Sequence, residues 1–285
     1  MADRGPVKIR EGKIDLLLNL YKKSYSNITR EIITASEAGK IQRAKVLVRL
    51  KVELEDLGVD VDKWVRDEIP KYYNDGANVA LNDLRRLGVD LSQSSGAAFN
   101  REAIKALTDE TALAFADGIR GVSRSAIRFV DDVLKIQLNM IIAEGKLTGE
   151  TRKMISATVK QRLQDSGLPA IRDRAGKRWS LDNYSEMLVR TKAVEARNQG
   201  LANKMLQYGY DLVQISNHGT DHKECARWEG KILSVTGQTP GYPTLAEAQA
   251  GGLFHPRCEH AMNVINLDLA KKTEAYDNPY NYRNK

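Results

Sequence analysis

The chain has 285 residues, 42% of them hydrophobic and 28% charged, the composition of a globular protein long enough for one large or two modest cores. The 44 basic and 37 acidic residues leave a formal charge of +7, which tolerates acidic neighbours such as nucleic acid without specifying them. No apolar run approaches the roughly 18 residues of a membrane span, the start at Met1–Pro6 lacks a signal-peptide pattern, and two cysteines cannot make a disulfide framework, so the expectation is a protein made and kept inside a cell, with no membrane partner.

Helices come first. From Glu11 to Leu57 the apolar residues Ile14, Leu17, Leu18, Tyr21, Tyr25, Ile28 and Ile32 recur every three or four positions, and the pattern resumes from Ile41 after Ala38-Gly39, predicting a helical hairpin. A second unit is expected over Val61–Leu87, with Pro70 as a kink and Gly88 as a stop. Leu91–Phe99, rich in Ser and Gly, reads as a loop. Helical spacing returns over Asn100–Glu144 with a break expected near Gly118–Gly121. Thr148-Gly-Glu-Thr151 suits the cap of a helix ending at Ser166-Gly167, and Ala170–Arg172 and Arg178–Ser180 flank Ala175-Gly176 as a short hairpin. A long helix follows from Leu181 to Tyr208 and stops at Gly209; its Arg190, Thr191, Glu195, Arg197 and Asn198 form a polar cluster best read as a buried structural network.

The character then changes. Tyr210–Ser216, Gly230–Val235 and Met262–Ile265 read as short strands, with a turn at Thr239–Pro243, a helical turn at Leu245–Ala250 and a flexible join at Gly251-Gly252. The predicted class is therefore mainly α with a small C-terminal α+β module. The predicted organisation is an N-terminal helical region (1–90), a central helical region (91–208), a Cys/His module (209–268) and a flexible tail (269–285).

Both cysteines and all four histidines fall between His218 and His260, as His218-x3-His222-x2-Cys225 and His255-Pro-Arg-Cys258-Glu-His260, separated by a 29-residue loop. Two close-set clusters of thiolate and imidazole have the form of a split tetrahedral zinc site. A module of this size holds few large side chains and needs a staple, and four protein ligands leave no open position, so the expected zinc is structural. Cys225, Cys258 and His260 are the expected ligands. The fourth is His218 or His222, while His255 either ligates or hydrogen-bonds in a turn. No Gly-rich phosphate loop is present, since Gly118-Ile-Arg-Gly121 lacks the strand context and the lysine.

The run Leu212–Lys231, then Ser234, Gly237, Tyr242–Leu245 and Gly252–His260, preceded by Leu188–Thr191, Glu195 and Asn198, resembles the minor capsid or head-morphogenesis proteins of tailed bacteriophages, including minor head proteins of the Mu F type. The resemblance favours His218, Cys225, Cys258 and His260 as metal ligands, with His222 standing where other members carry a cysteine and Glu259 where arginine is usual. It implies a non-enzymatic structural protein of the phage head, made in the host bacterial cytoplasm and carried in the virion. It further implies partners in the portal, the major capsid protein or the scaffold, and non-specific contact with packaged DNA. Two alternatives stand beside it: a metal-dependent nuclease built on Asp221 and His222, and a DNA-binding zinc module, for which Lys223, Arg227, Lys231 and Arg257 are too scattered among acids to read sequence.

Overall fold

The computed structural model describes residues 10–37, 43–92, 97–144, 149–166, 171–172, 178–179 and 181–275. The chain is mainly helical with one small antiparallel sheet near the C-terminus, as the hydrophobic periodicity predicted. Helices α1 (Glu11–Glu37), α2 (Arg43–Arg86), α3 (Ala97–Glu144), α4 (Gly149–Ser166) and α5 (Leu181–Gln207) precede that sheet, with the two-residue strands β1 (Ile171–Arg172) and β2 (Arg178–Trp179) between α4 and α5. These strands pair antiparallel, Ile171 opposite Trp179, where the short hairpin was expected; its Ala175-Gly176 turn, like the Ala38-Gly39 turn and Thr148, lies outside the described residues.

Two expected interruptions do not occur. Helix α2 runs unbroken through Leu57–Val61, with Pro70 inside it, and α3 runs through Gly118–Gly121. A helical glycine costs only about 1 kcal/mol against alanine, which apolar packing on either side outweighs. Gly118 has a packing role instead, because a Cβ there would stand 3.0 Å from the Tyr184 ring. Helix α3 also starts at Ala97, inside the stretch expected as loop.

The chain forms two compact units. One comprises Glu11–Val65 and Glu110–Leu188. Within it α1 and the first half of α2 run antiparallel as the expected hairpin: Asn27 donates to Glu53 at 3.1 Å, Arg49 meets Glu31 at 2.5 Å, and Trp64 Nε1 donates to the Lys13 carbonyl at 2.8 Å. Ile14, Leu17, Tyr21, Ile28 and Ile32 on α1 are buried, as are Val46, Leu50, Leu54 and Leu57 on α2, which is the face their spacing required. Burial drives the Tyr21 phenol far above its ordinary pKa, with Tyr184 adding to the effect.

The other unit draws on Arg66–Asp109 and the chain from Val189, together with Arg10. Here α2 and α5 approach almost backbone to backbone. A Cβ on Gly76 would fall 1.8 Å from the Arg197 carbonyl oxygen, and one on Gly200 would fall 1.9 Å from that of Tyr73, so each glycine is the only residue its position admits. The crossing is locked by polar side chains: Asn203 donates to the Tyr73 hydroxyl at 2.8 Å, which donates to Asn100 at 3.1 Å, and Gln207 donates to the same Asn100 oxygen at 2.9 Å.

Beyond α5, β3 (Leu212–Ile215), β4 (Ile232–Ser234) and β5 (Met262–Ile265) form an antiparallel sheet in the order β4-β3-β5, with Val213 opposite both Leu233 and Val264. Val213, Leu233, Met262 and Val264 pack with Ala80, Leu84, Leu201 and Met205 of α2 and α5. Leu212, Ile232 and Ile265 pack on the opposite face against Ala270 of α8 (Leu267–Ala275), so both faces of the sheet are covered. The buried Asp83 of α2 accepts a hydrogen bond from the Val264 N–H at 3.1 Å.

Helix α8 occupies the first part of the stretch expected as tail. Asn266 caps it, its side chain accepting from the Leu269 N–H at 2.7 Å, and Ala270 is fully buried, so this turn is anchored at both ends. The remainder of the expected tail, 276–285, lies outside the described residues.

Candidate metal centre

The sheet register explains why two clusters distant in sequence meet. Ile215 at the end of β3 lies opposite Met262 at the start of β5, and β4 enters beside Gln214, so the segments 216–231 and 253–261 emerge at the same end of the sheet. Their junction is held by the Ser216 N–H on the Ala261 carbonyl and the Ala261 N–H on the Ser216 hydroxyl, each at 2.9 Å. Cys225 sits in the single-turn helix α6 (Lys223–Ala226), whose N-cap is His222, and is buried. Cys258 follows a tight turn in which its N–H bonds the His255 carbonyl at 2.8 Å, and the non-glycine residues Phe254 and Arg257 take left-handed φ values of 59° and 66°. Such backbone strain persists where the surroundings over-determine it, here on either side of two candidate ligands.

Among the described residues, three groups bring metal-binding atoms together: Cys225, Cys258 and His260; His222, Cys225 and His255; and His218, Glu229 and His260. Each of the six sequence-predicted residues falls in at least one group, and Cys225 is common to the first two. His218 stands apart from the thiols. Its Nε2 lies 4.0 Å from Glu229, its ring centroid lies 4.4 Å from that of His260, and its Nδ1 is buried with no hydrogen-bond partner among the described residues.

The hydrogen bonds assign the ring protons. His260 Nε2 lies 3.1 Å from Glu229 Oε1, and since the N–H groups of His218 and Thr220 keep that carboxylate an acceptor, Nε2 carries the proton and Nδ1 turns its lone pair to Cys258 Sγ at 3.1 Å. His255 repeats the arrangement. Its Nδ1 donates to the Pro256 carbonyl at 2.8 Å, leaving the Nε2 lone pair 3.2 Å from Cys225 Sγ. An imidazole whose far nitrogen is fixed by a carboxylate or carbonyl is the usual supporting arrangement of a histidine metal ligand. His222, by contrast, is exposed and stacks on the His255 ring at 3.8 Å.

Electrostatics fit the same picture. Burial pushes the Cys225 thiol up to about 11, reinforced by Cys258 close by, and burial raises Cys258 as well. Burial pushes His260 below the usual imidazole range, only partly offset by Glu229. Burial works against ionisation of Glu229 too, but the N–H groups of Thr220 at 3.1 Å and His218 at 3.2 Å, with His260, hold it below the usual carboxylate range. Two thiols facing two imidazoles are a set in which one divalent cation can replace the two thiol protons, so that a centre filled in this way carries no net charge in its buried surroundings.

Glu229 was not singled out by the sequence. The need of a histidine ligand for a carboxylate partner was a usable signal, but Asp221, Glu224 and Glu259 met it equally in one dimension. The nuclease pair finds no support in position: Asp221 and His222 are both exposed.

Comparison with known proteins gives this region its setting. The family model for phage minor capsid protein 2 matches residues 59–284, which takes in the whole of the Cys/His module, α3 to α5 and the latter part of α2. The chain belongs to that family. A relative named as a structural protein of Lactococcus phage LL-H is 24% identical over 106 residues, covering 34% of this chain and 29% of its own length, so the match spans less than a third of that relative. No solved structure matches the chain. As a member of a minor capsid family, the protein is a phage structural protein. No helix among the described residues is long and apolar enough to cross a membrane.

Proposed function

We propose that this chain is a minor component of the phage head, acting in head morphogenesis near the portal and the packaged genome, with its C-terminal module stapled by one structural zinc ion. The observation that carries the reading is the pairing of two buried thiols with two imidazoles whose remaining nitrogens are already committed to Glu229 and Pro256. Cys225, Cys258 and His260 form the nucleus of the site and His255 is the fourth ligand, ahead of His218 and His222. Tetrahedral zinc with bonds of about 2.3 Å to sulfur and about 2.0 Å to nitrogen sets S···N edges near 3.5 Å. The two such pairs observed, at 3.1 and 3.2 Å, need only a small expansion, and closing the four ligands on one ion then requires the His255 ring to swing toward Cys258. Zinc supplies folding free energy here and no chemistry, because four protein ligands leave no place for a reactive water.

The remaining helices act by docking. Mixed-charge helical faces suit the portal, the major capsid protein or the scaffold, and the excess of seven positive charges suits non-specific contact with packaged DNA. The test is quantitative mass spectrometry of purified virions combined with cross-linking. The expected result is this chain in low copy number, linked to the portal or its neighbours; virions that contain none of it would overturn the proposal.

A further inference from the structure

Beside the metal centre lies a cleft of about 970 Å³, at the upper end of the size range of ligand pockets. One wall is a single face of α5, on which Thr191, Glu195, Asn198 and Ala202 recur at helical spacing; the opposite wall is α6 with the end of α7 (Leu245–Ala250), and Leu253, Phe254 and Met262 give it an apolar lining. The cleft therefore takes up much of the polar cluster expected to be a buried network. That network is incomplete. Asn198 is only 8% exposed, yet neither its amide oxygen nor its amide nitrogen has a hydrogen-bond partner among the described residues.

We infer that this cleft binds an extended polypeptide segment of another virion protein. The chemistry of the lining selects that occupant. An amide side chain with one unmet donor and one unmet acceptor in the wall of the cleft is complementary to a peptide unit, which offers both. Gln199 and Gln249, both exposed on the walls, offer the same pair of groups. The apolar lining accepts the alternate side chains of an extended strand. A phosphate backbone is not favoured, because the two lining cations, Lys223 and Arg227, share the wall with the carboxylate Glu224, Glu195 brings its own pairing with Lys192, and Arg227 is already engaged with the Gly251 carbonyl. His255 and Cys258 also line the cleft, so the proposed metal would hold its floor in shape. The inference rests on the reading of the chain as a docking component of the head, but not on the identity of the metal.

The full chain, immobilised, is used to select from a random linear dodecapeptide library, and selected peptides are titrated against native protein, Gln199→Trp, which fills the cleft from an exposed position, and Asn198→Leu. Native protein is expected to enrich peptides with alternating apolar residues, and each variant to bind them at least tenfold more weakly. Asn198→Leu is also expected to melt at or above the native temperature, since it removes an unmet polar group; a lower melting temperature would assign Asn198 a purely structural role and overturn its part in binding. Failure to enrich any peptide, equal binding by native and filled protein, or an oligothymidine that binds with the same dependence on Gln199 would each overturn the inference. None of these outcomes bears on whether the chain is found in virions or holds zinc, so the two readings fail separately.

Discussion

The crossing of α2 and α5 makes a sharp prediction, because it sets the wall against which the C-terminal module is built. Substituting Gly200 with alanine places a Cβ 1.9 Å from the Tyr73 carbonyl oxygen, and the equivalent change at Gly76 places one 1.8 Å from that of Arg197. Real Cβ atoms essentially never come within 3.0 Å of such an atom, so the helices must part by at least 1.1 Å. A radial gap of about 0.5–1 Å already forfeits a quarter to a half of the dispersion energy of each contact, and the contacts here belong to fully buried side chains such as Tyr73, Ala80, Leu84 and Leu201. Against that, alanine gains up to about 1 kcal/mol in helix propensity. Overpacking of this kind costs typically about 1–3 kcal/mol and sometimes more, and the net loss expected for Gly200→Ala is about 1–2 kcal/mol, or a melting temperature lower by roughly 2–8 °C. The control is Gly58→Ala on α2, where a Cβ meets nothing within 4 Å and stability should hold or rise by about 0.5–1 kcal/mol. Thermal and urea unfolding followed by circular dichroism measure both. If Gly200→Ala melts with native protein or with Gly58→Ala, the backbone contact and the packing argument built on it are wrong.

Further outcomes follow from single side chains. Glu229→Gln keeps the shape but weakens the hold on the His260 proton, so zinc affinity measured by chelator competition should fall about 10–100-fold, and an unchanged affinity would remove Glu229 from the site. His255→Ala should lose more zinc affinity than His218→Ala or His222→Ala; the reverse order would return the fourth position to one of those two. Asp83→Ala strands the buried Val264 N–H and should cost about 1–3 kcal/mol of unfolding free energy. Asp211 is pushed up by burial but held lower overall by the Ser234, Thr236 and Thr239 hydroxyls and the Thr236 N–H. A depressed folded pKa gives stability that is present above the unfolded value near 4 and lost as the pH falls through the folded one, so Asp211→Asn should flatten the acid limb of the stability profile.

Much of this architecture was legible in one dimension because it depends on periodicity. The α1–α2 hairpin faces, the three strands of the sheet and the convergence of Cys225, Cys258 and His260 all follow from spacing that burial then enforces. The continuity of α2 and α3 was not legible, since a glycine in a sequence does not say whether it ends a helix or makes room for a neighbour, as Gly118 does for Tyr184. The anchoring of α8 turns on Ala270, too small and common to announce burial. Nor was the choice among histidines. It depends on which ring nitrogen finds an acceptor, and that is set by the buried position of Glu229 and by the left-handed turns at Phe254 and Arg257, none of which has a signature in residue spacing.

The zinc staple is tested most directly by elemental analysis of the full chain, expressed without a histidine tag and purified without chelator. About one zinc per chain is predicted, displaced by chelator with loss of the C-terminal module's thermal stability. Less than about a tenth of an equivalent, in protein whose Cys225→Ser and Cys258→Ser variants fold as native protein does, would contradict it.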